Sequence, residues 1–161
     1  MNQPLQSISD TAFTENISAI QAQLHHVDAV AEVFDAYRQY YGQTSDIEGA
    51  QQFLAERISN QESVIFLALE NGKVLGFTQL YPAFSSVSMR RSWVLNDLFV
   101  REDLRSKGIG KVLLAAAQNF VVQQGHKGLL LETTPDNTKA QSLYQRLGWV
   151  REQNYYYFWQ A

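Results

Sequence analysis

Apolar residues along the chain keep two rhythms, one of continuous or alternating runs and one with a spacing of three and four, and the rhythms take turns. Ile17-Ser18-Ala19-Ile20-Gln21-Ala22 predicts a short first strand. Val27, Val30, Ala31, Phe34 and Tyr41 then share one helical face, with Tyr37 and Tyr40 close to it. Ser45-Asp46-Ile47-Glu48 has the S-x-x-E form of a capping box, and Ala50, Phe53, Leu54 and Ile58 continue a second helix. Val64 to Leu69 is a buried-type strand, and Asn71-Gly72 predicts a tight hairpin because both central positions of that turn need positive φ. Val74 to Tyr81 returns antiparallel. Pro82 to Ser88 reads as a Ser-rich loop, and a fourth strand runs from about Arg91 to Val100.

Ile109, Val112, Leu113, Ala116 and Phe120 line one face of a long helix that Gly125 stops. Gly128 to Thr134 is a strand reached by a helical crossover, so it should run parallel to the fourth. Pro135-Asp136-Asn137 breaks that strand and offers a helix cap. Ala140, Leu143, Tyr144 and Leu147 give the last helix its face, and Gly148 ends it. Trp149-Val150-Arg151 and Tyr155 to Trp159 read as a final antiparallel pair. The order β-α-α-β-β-β-α-β-α-β-β is an α/β fold on a mixed, mostly antiparallel sheet, with its one parallel pair formed by the fourth and fifth strands. Its 161 residues suit one buried core rather than two ordinary domains. Residues 17–161 are read as that domain, and the polar, aperiodic residues 1–16, with Pro4, as a mobile arm.

Composition narrows the chemistry. Apolar residues make up 45% and charged residues 18%, a globular balance rather than a disordered one. No apolar run approaches a membrane span and no basic-then-apolar leader opens the chain, so a cytoplasmic protein without membrane association is expected. With no cysteine there is no disulfide, cysteine zinc site or thiol nucleophile, so any nucleophilic chemistry would need another group. His25, His26 and His126 show no metal-ligand spacing, and no metal is expected. The net charge of −3 argues against nucleic acid as a partner. Residues 1–63 hold nine acids against Arg38 and Arg57, whereas residues 90–111 hold Arg90, Arg91, Arg101, Arg105, Lys107 and Lys111 against three. One segment suits a cation and the other a phosphate-rich ligand; solvated faces with a chance imbalance would read the same way.

The fourth strand feeds a basic, glycine-containing turn that opens the long helix. There the helix dipole and its unpaired N–H groups favour a pyrophosphate, and Gly108 and Gly110 allow close approach. Arg105-x-x-Gly108-x-Gly110 resembles the acetyl-CoA signature R/Q-x-x-G-x-G/A of the GNAT superfamily of N-acetyltransferases. Asn137 to Trp149 is similar to that superfamily's N-x-x-A-x-x-L-Y-x-x-x-G-[FW] segment, and the element order matches over roughly residues 17–160. Leu95 to Val100 looks like the branch that includes polyamine and histone-type enzymes.

The resemblance implies acetyl-CoA as donor and a primary amine as acceptor. An alkylammonium near pKa 10 must lose a proton before it attacks a thioester. The related polyamine enzymes use a fourth-strand glutamate for this; Asn96 aligns with it here, and the carboxylate is its neighbour Asp97. Adjacent strand residues face opposite ways, but a β-bulge, which the superfamily carries in this strand, would re-aim one. Asp97 is therefore the first choice of base, working through water, with a structural aspartate as the competing interpretation. Glu132, Glu32 and Asp35 are weaker alternatives. Tyr144 matches the tyrosine that protonates the leaving sulfur; without that match it would be core packing with a polar tip. Main-chain groups of Leu98, Phe99 and Val100 would contact acetyl and pantetheine, and their side chains read as core. Arg105, Ser106, Lys107, Gly108, Ile109, Gly110 and Lys111 would cradle the pyrophosphate. Asn137 would either bond the pantetheine arm or cap its helix. Tyr37, Tyr40, Tyr41, Tyr81 and Phe84 would wall the acceptor side, with Asn96 and Glu132 as further substrate contacts. A small polyamine-like or amino-acid-like amine is the preferred acceptor, and a protein lysine or N-terminal amine the close alternative. A noncatalytic acyl-CoA sensor is the rival of another class. The aromatic run Tyr155 to Trp159 fits a homodimer interface and closure of the sheet equally well.

Overall fold

A computed structural model describes residues 16–161, so the mobile-arm reading of residues 1–16 falls, apart from Asn16, outside the described residues. The chain divides into two compact units, one up to Leu131 and one from Glu132 to Ala161. In the first, β1 (Ser18–Gln21) leads through a 3₁₀ turn at Leu24–His26 into α1 (Val27–Tyr40) and α2 (Ile47–Ser59). β2 (Val64–Glu70), β3 (Lys73–Ser85) and β4 (Arg90–Val100) follow, and a 3₁₀ turn at Glu102–Leu104 precedes α3 (Ile109–Gln123) and β5 (Leu129–Leu130). The strands lie in the order β1-β2-β3-β4-β5. β4 and β5 run parallel and every other pair antiparallel, as the crossover through α3 requires.

Helices cover both faces of the sheet. Val30, Ala31, Val33 and Phe34 of α1 and Leu54 of α2 pack with Ile65, Leu67, Phe77 and Phe99. Phe66, between Ile65 and Leu67, turns the other way and meets Phe120 of α3 at 5.8 Å between ring centroids. Asn71 (φ 50) and Gly72 (φ 78) form the predicted two-residue hairpin, and Gly125 (φ 66) ends α3. Gly76 lies against Val100, and a Cβ there would collide with the Phe99 carbonyl oxygen, a backbone atom that cannot turn aside. Gly76→Ala is therefore expected to cost about 1–3 kcal/mol. An unchanged thermal midpoint would contradict this.

Five local expectations are corrected in the first unit. The buried stripe of α3 is Ile109, Leu113, Leu114, Ala117 and Val121, so Val112, Ala116 and Phe120 lie at its margin, because the helix is apolar on more than one side. β3 continues through Pro82 to Ser85, because β2 makes its last pair at Val64↔Leu80 and the missing N–H of Pro82 then falls on an open edge. The cap of α2 is Asp46, which accepts from the Gly49 amide at 2.9 Å, while Ser45 Oγ donates to Asp35 instead. α1 ends at Tyr40, so Tyr41 lies past the buried face and is 66% exposed. β5 is two residues long. Its ladder with β4 stops at Val94↔Leu130, just before a bulge that bends β4 and adds twist.

The second unit contains α4 (Thr138–Arg146), capped by Asn137 and ended by Gly148 at φ 86. Residues 149–161 form no ladder among the described residues, so the expected final strand pair is absent. Strand propensity without a paired neighbour does not make a strand, and Tyr155, Tyr156, Tyr157, Phe158 and Trp159 are all exposed.

Candidate active site

The site in the first unit starts from one extra residue in β4. Gln79 of β3 pairs with Asp97 and Leu80 pairs with Leu95, which leaves Asn96 unopposed in a β-bulge. The bulge switches the faces of the strand. Trp93 packs on Phe120 of α3 at 5.3 Å, yet Phe99, an even number of residues later, packs on Tyr37 of α1 at 5.8 Å. In an unbroken strand both rings would share one face. Asp97 follows Phe99 onto the α1 side, while Asn96 remains exposed.

There the Asp97 side chain is buried, with 5% of its surface exposed. Its Oδ1 accepts from the Tyr37 hydroxyl at 2.8 Å and from Asn96 Nδ2 at 3.0 Å. Its Oδ2 accepts from Gln79 Nε2 at 2.9 Å, and the same nitrogen donates to the Tyr81 oxygen at 3.0 Å. Both carboxylate oxygens accept, as an ionised group does. Among the described residues no lysine or arginine pairs with it. Burial, then the charge of Asp97, push the Tyr37 phenol far up and the Tyr81 phenol to about 12, so both stay neutral at physiological pH. Tyr41 stacks edge-on against Tyr37 at 5.1 Å. Phe84 stands 72% exposed beneath Arg91.

At the end of β4 the chain turns through Arg105 to Gly108 into α3. Ser106 (φ 68) and Gly108 (φ 81) both hold left-handed backbone. Gly108 is the N-cap of α3 and, lacking a side chain, supplies no cap of its own. Such a helix start presents amides and a positive dipole to an anion. The Arg105 guanidinium lies over the rings of Tyr40 (4.9 Å) and Phe99 (5.5 Å) and 3.6 Å from Glu102. Lys107 and Lys111 lie in the same turn and the first turn of the helix. Phe99 and Ile109 are core side chains. β4 runs on to Val100, well past its last pair with β5, so Leu98, Phe99 and Val100 lie beyond that ladder.

In the second unit, Asn137 Oδ1 accepts from the Ala140 amide at 3.4 Å and its Nδ2 donates to Thr133 at 3.2 Å, which is the capping role. The Tyr144 ring lies 6.1 Å from that of Trp149. Glu132 is exposed.

The profile of the Acetyltransferase (GNAT) family matches residues 30–149. The chain belongs to that family. This acetyltransferase is 48% identical over 138 residues to the uncharacterized N-acetyltransferase YhfO of Bacillus subtilis (strain 168), covering 86% of this chain and 93% of the relative. It is 37% identical over 102 residues to a probable acetyltransferase of Haemophilus influenzae, covering 63% of this chain and 70% of the relative. A crystal structure of a probable acetyltransferase superposes with a TM-score of 0.82 at 36% identity, covering 89% of this chain and 96% of that one. As a GNAT acetyltransferase it is an acetyl-CoA-dependent enzyme. Among its described residues no helix is long and apolar enough to cross a membrane.

Most of the acids in and around the first two helices have partners within the chain. Asp28 accepts from Gln51, Asp46 caps α2, Glu56 and Glu62 hold Arg57, and Glu32 faces Arg101. Asp35 is buried and satisfied within its own network. Sequence reasoning passed over Gln79, which has no exposed surface. A signal existed: Gln79 stands two residues from both Phe77 and Tyr81, a polar side chain on the apolar face of a strand.

Proposed function

We propose that this acetyltransferase passes acetyl from acetyl-CoA directly to the primary amine of a small polyamine-like or amino-acid-like acceptor, with residues 17–161 working as one domain. This is the chemistry expected of the polyamine-type branch. The observation that carries the reading is the Asp97 carboxylate, buried among neutral donors, without an ion-pair partner among the described residues and with tyrosines in its cluster. Uncompensated negative charge next to aromatic faces favours an ammonium group.

Asp97 takes up, through water, the proton that the ammonium must lose. Tyr37, Tyr41 and Tyr81 wall the acceptor, with Asn96 and Glu132 as further contacts. The coenzyme supplies acetyl activated as a thioester. Residues Arg105 to Lys111 hold its pyrophosphate, mainly through the amides of Ser106, Gly108, Ile109 and Gly110. Main-chain groups of Leu98, Phe99 and Val100 align the acetyl and pantetheine, with Asn137 on the same arm. As the N–C bond forms and the C–S bond breaks, Tyr144 gives its proton to the departing sulfur.

Thiol release from acetyl-CoA, measured with polyamines, free amino acids, aminoglycosides and lysine-containing peptides, tests this. Small polyamines or amino acids should raise the rate most, and Tyr144→Phe should lower kcat by roughly a hundredfold. Turnover with peptides alone would overturn the acceptor assignment. Turnover with no amine would overturn direct transfer to nitrogen.

A further inference from the structure

We propose that Gln79 is a positioning residue of the acetyl transfer: it aims the Asp97 oxygen that receives the amine's proton. The inference rests on the reading of Asp97 as base and adds the group that orients it.

Gln79 occupies the rung directly opposite Asp97, the last regular pair before the bulge. Tyr37 and Asn96 both donate to Oδ1, which leaves that oxygen without a lone pair to spare. Among the described residues Oδ2 accepts from Gln79 alone and so keeps one lone pair free. The oxygen able to take a proton is therefore the one Gln79 holds. The second Nε2 hydrogen goes to the Tyr81 oxygen, so the Tyr81 hydroxyl proton must point away from Gln79.

The orientation of the amide is fixed by its partner. Turned over, it would set Oε1 against Oδ2, two acceptors facing each other. As it stands, Oε1 is buried with no hydrogen-bond partner among the described residues. An apolar side chain of similar size would avoid that cost, because the position has no exposed surface. What an apolar side chain would forfeit is the donor shared by Asp97 and Tyr81.

The test compares Gln79→Leu, Gln79→Glu, Asp97→Asn and the Gln79→Leu/Asp97→Asn double variant, using the amine of highest turnover from the panel. Gln79→Leu should lower kcat about tenfold or more while the KM for acetyl-CoA stays put. The double variant should be no slower than Asp97→Asn, because Gln79 acts through Asp97. A glutamate at this position keeps the shape and donates only when protonated. The ratio of its kcat to that of the wild type should therefore rise between about pH 8 and about pH 6. A flat ratio, additive losses in the double variant, or wild-type kcat in Gln79→Leu beside a slow Asp97→Asn would overturn this inference alone. Wild-type kcat in Asp97→Asn would instead sink the base reading beneath it. A crystal structure of Gln79→Leu supplies a readout that needs no acceptor: the Asp97 carboxylate should swing about its Oδ1 contacts. An unmoved carboxylate counts against the role.

Discussion

Asp97→Asn is expected to reduce kcat by roughly 10²–10⁴, the range over which a positioned base acts, with the KM for acetyl-CoA unchanged. The change keeps the shape of the side chain and removes its capacity to take a proton. Tyr37 and Asn96 can still donate to the asparagine oxygen, but the Gln79 amide must turn over so that Oε1 accepts from the new amide nitrogen, which leaves Nε2 buried without its acceptor. A stability loss of about 1–3 kcal/mol should accompany the kinetic effect. The two are separable through the coenzyme: at a hundredfold excess over Kd it should still raise stability by about 2.7 kcal/mol. A variant that binds coenzyme in this way and turns over within a few fold of wild type would remove Asp97 from the chemistry.

The second large effect concerns stability. Asp35 is 1% exposed and collects four donors: Arg38 (3.0 Å), Gln39 (2.9 Å), Ser45 (2.7 Å) and the Asp46 amide (2.9 Å). Arg38 also reaches the Thr44 carbonyl at 3.3 Å, so one carboxylate ties the end of α1 to the start of α2. Asp35→Ala strands these donors and should cost roughly 3 kcal/mol, seen as a fall of about 6–12 °C in Tm. Burial alone would raise the Asp35 carboxyl, but the Asp46 amide, Ser45 and Arg38 hold it below its ordinary 3.8. The folded protein therefore keeps this charge at a lower pH than the unfolded chain does. Its stabilising contribution is complete above the ordinary value and fades as the pH falls below it through the folded value. The stability gap between wild type and Asp35→Asn, followed by denaturant titration, should shrink on acidification through that window. A constant gap would mean that the carboxylate's charge is not what the loop relies on.

Local signals were legible where a residue's own backbone preference decides the outcome. Asn71-Gly72, Gly125 and Gly148 sit at left-handed positions and mark a hairpin and two helix ends. The face of α1 was legible because its period outlasts any single exception; in α3, apolar on more than one side, the stripe that the core buries holds Leu114, Ala117 and Val121 in place of the expected Val112, Ala116 and Phe120. Misreadings fell where a neighbour decides. Pro82 is a strand residue because β2 has already ended beside it. Ser45 fits a cap motif but is claimed by Asp35, and Tyr155 to Trp159 have strand chemistry without a ladder. At the site, the resemblance supplied the bulge and with it the aim of Asp97. Gln79 shows in the linear sequence as a polar residue on an apolar face, but only the register states that it opposes Asp97.

The claim on which the rest depends is that the bulge at Asn96 presents the acceptor amine to Asp97 on the α1 face of the sheet. A crystal grown with CoA and the amine of highest turnover reads this directly. The amine nitrogen should lie within hydrogen-bond reach of the Asp97 cluster, directly or through one water, beside Tyr37 and Tyr81, with the pyrophosphate on the amides of Ser106 to Lys111. An amine bound on the α3 face, or one separated from Asp97 by an intact tyrosine wall, would contradict it.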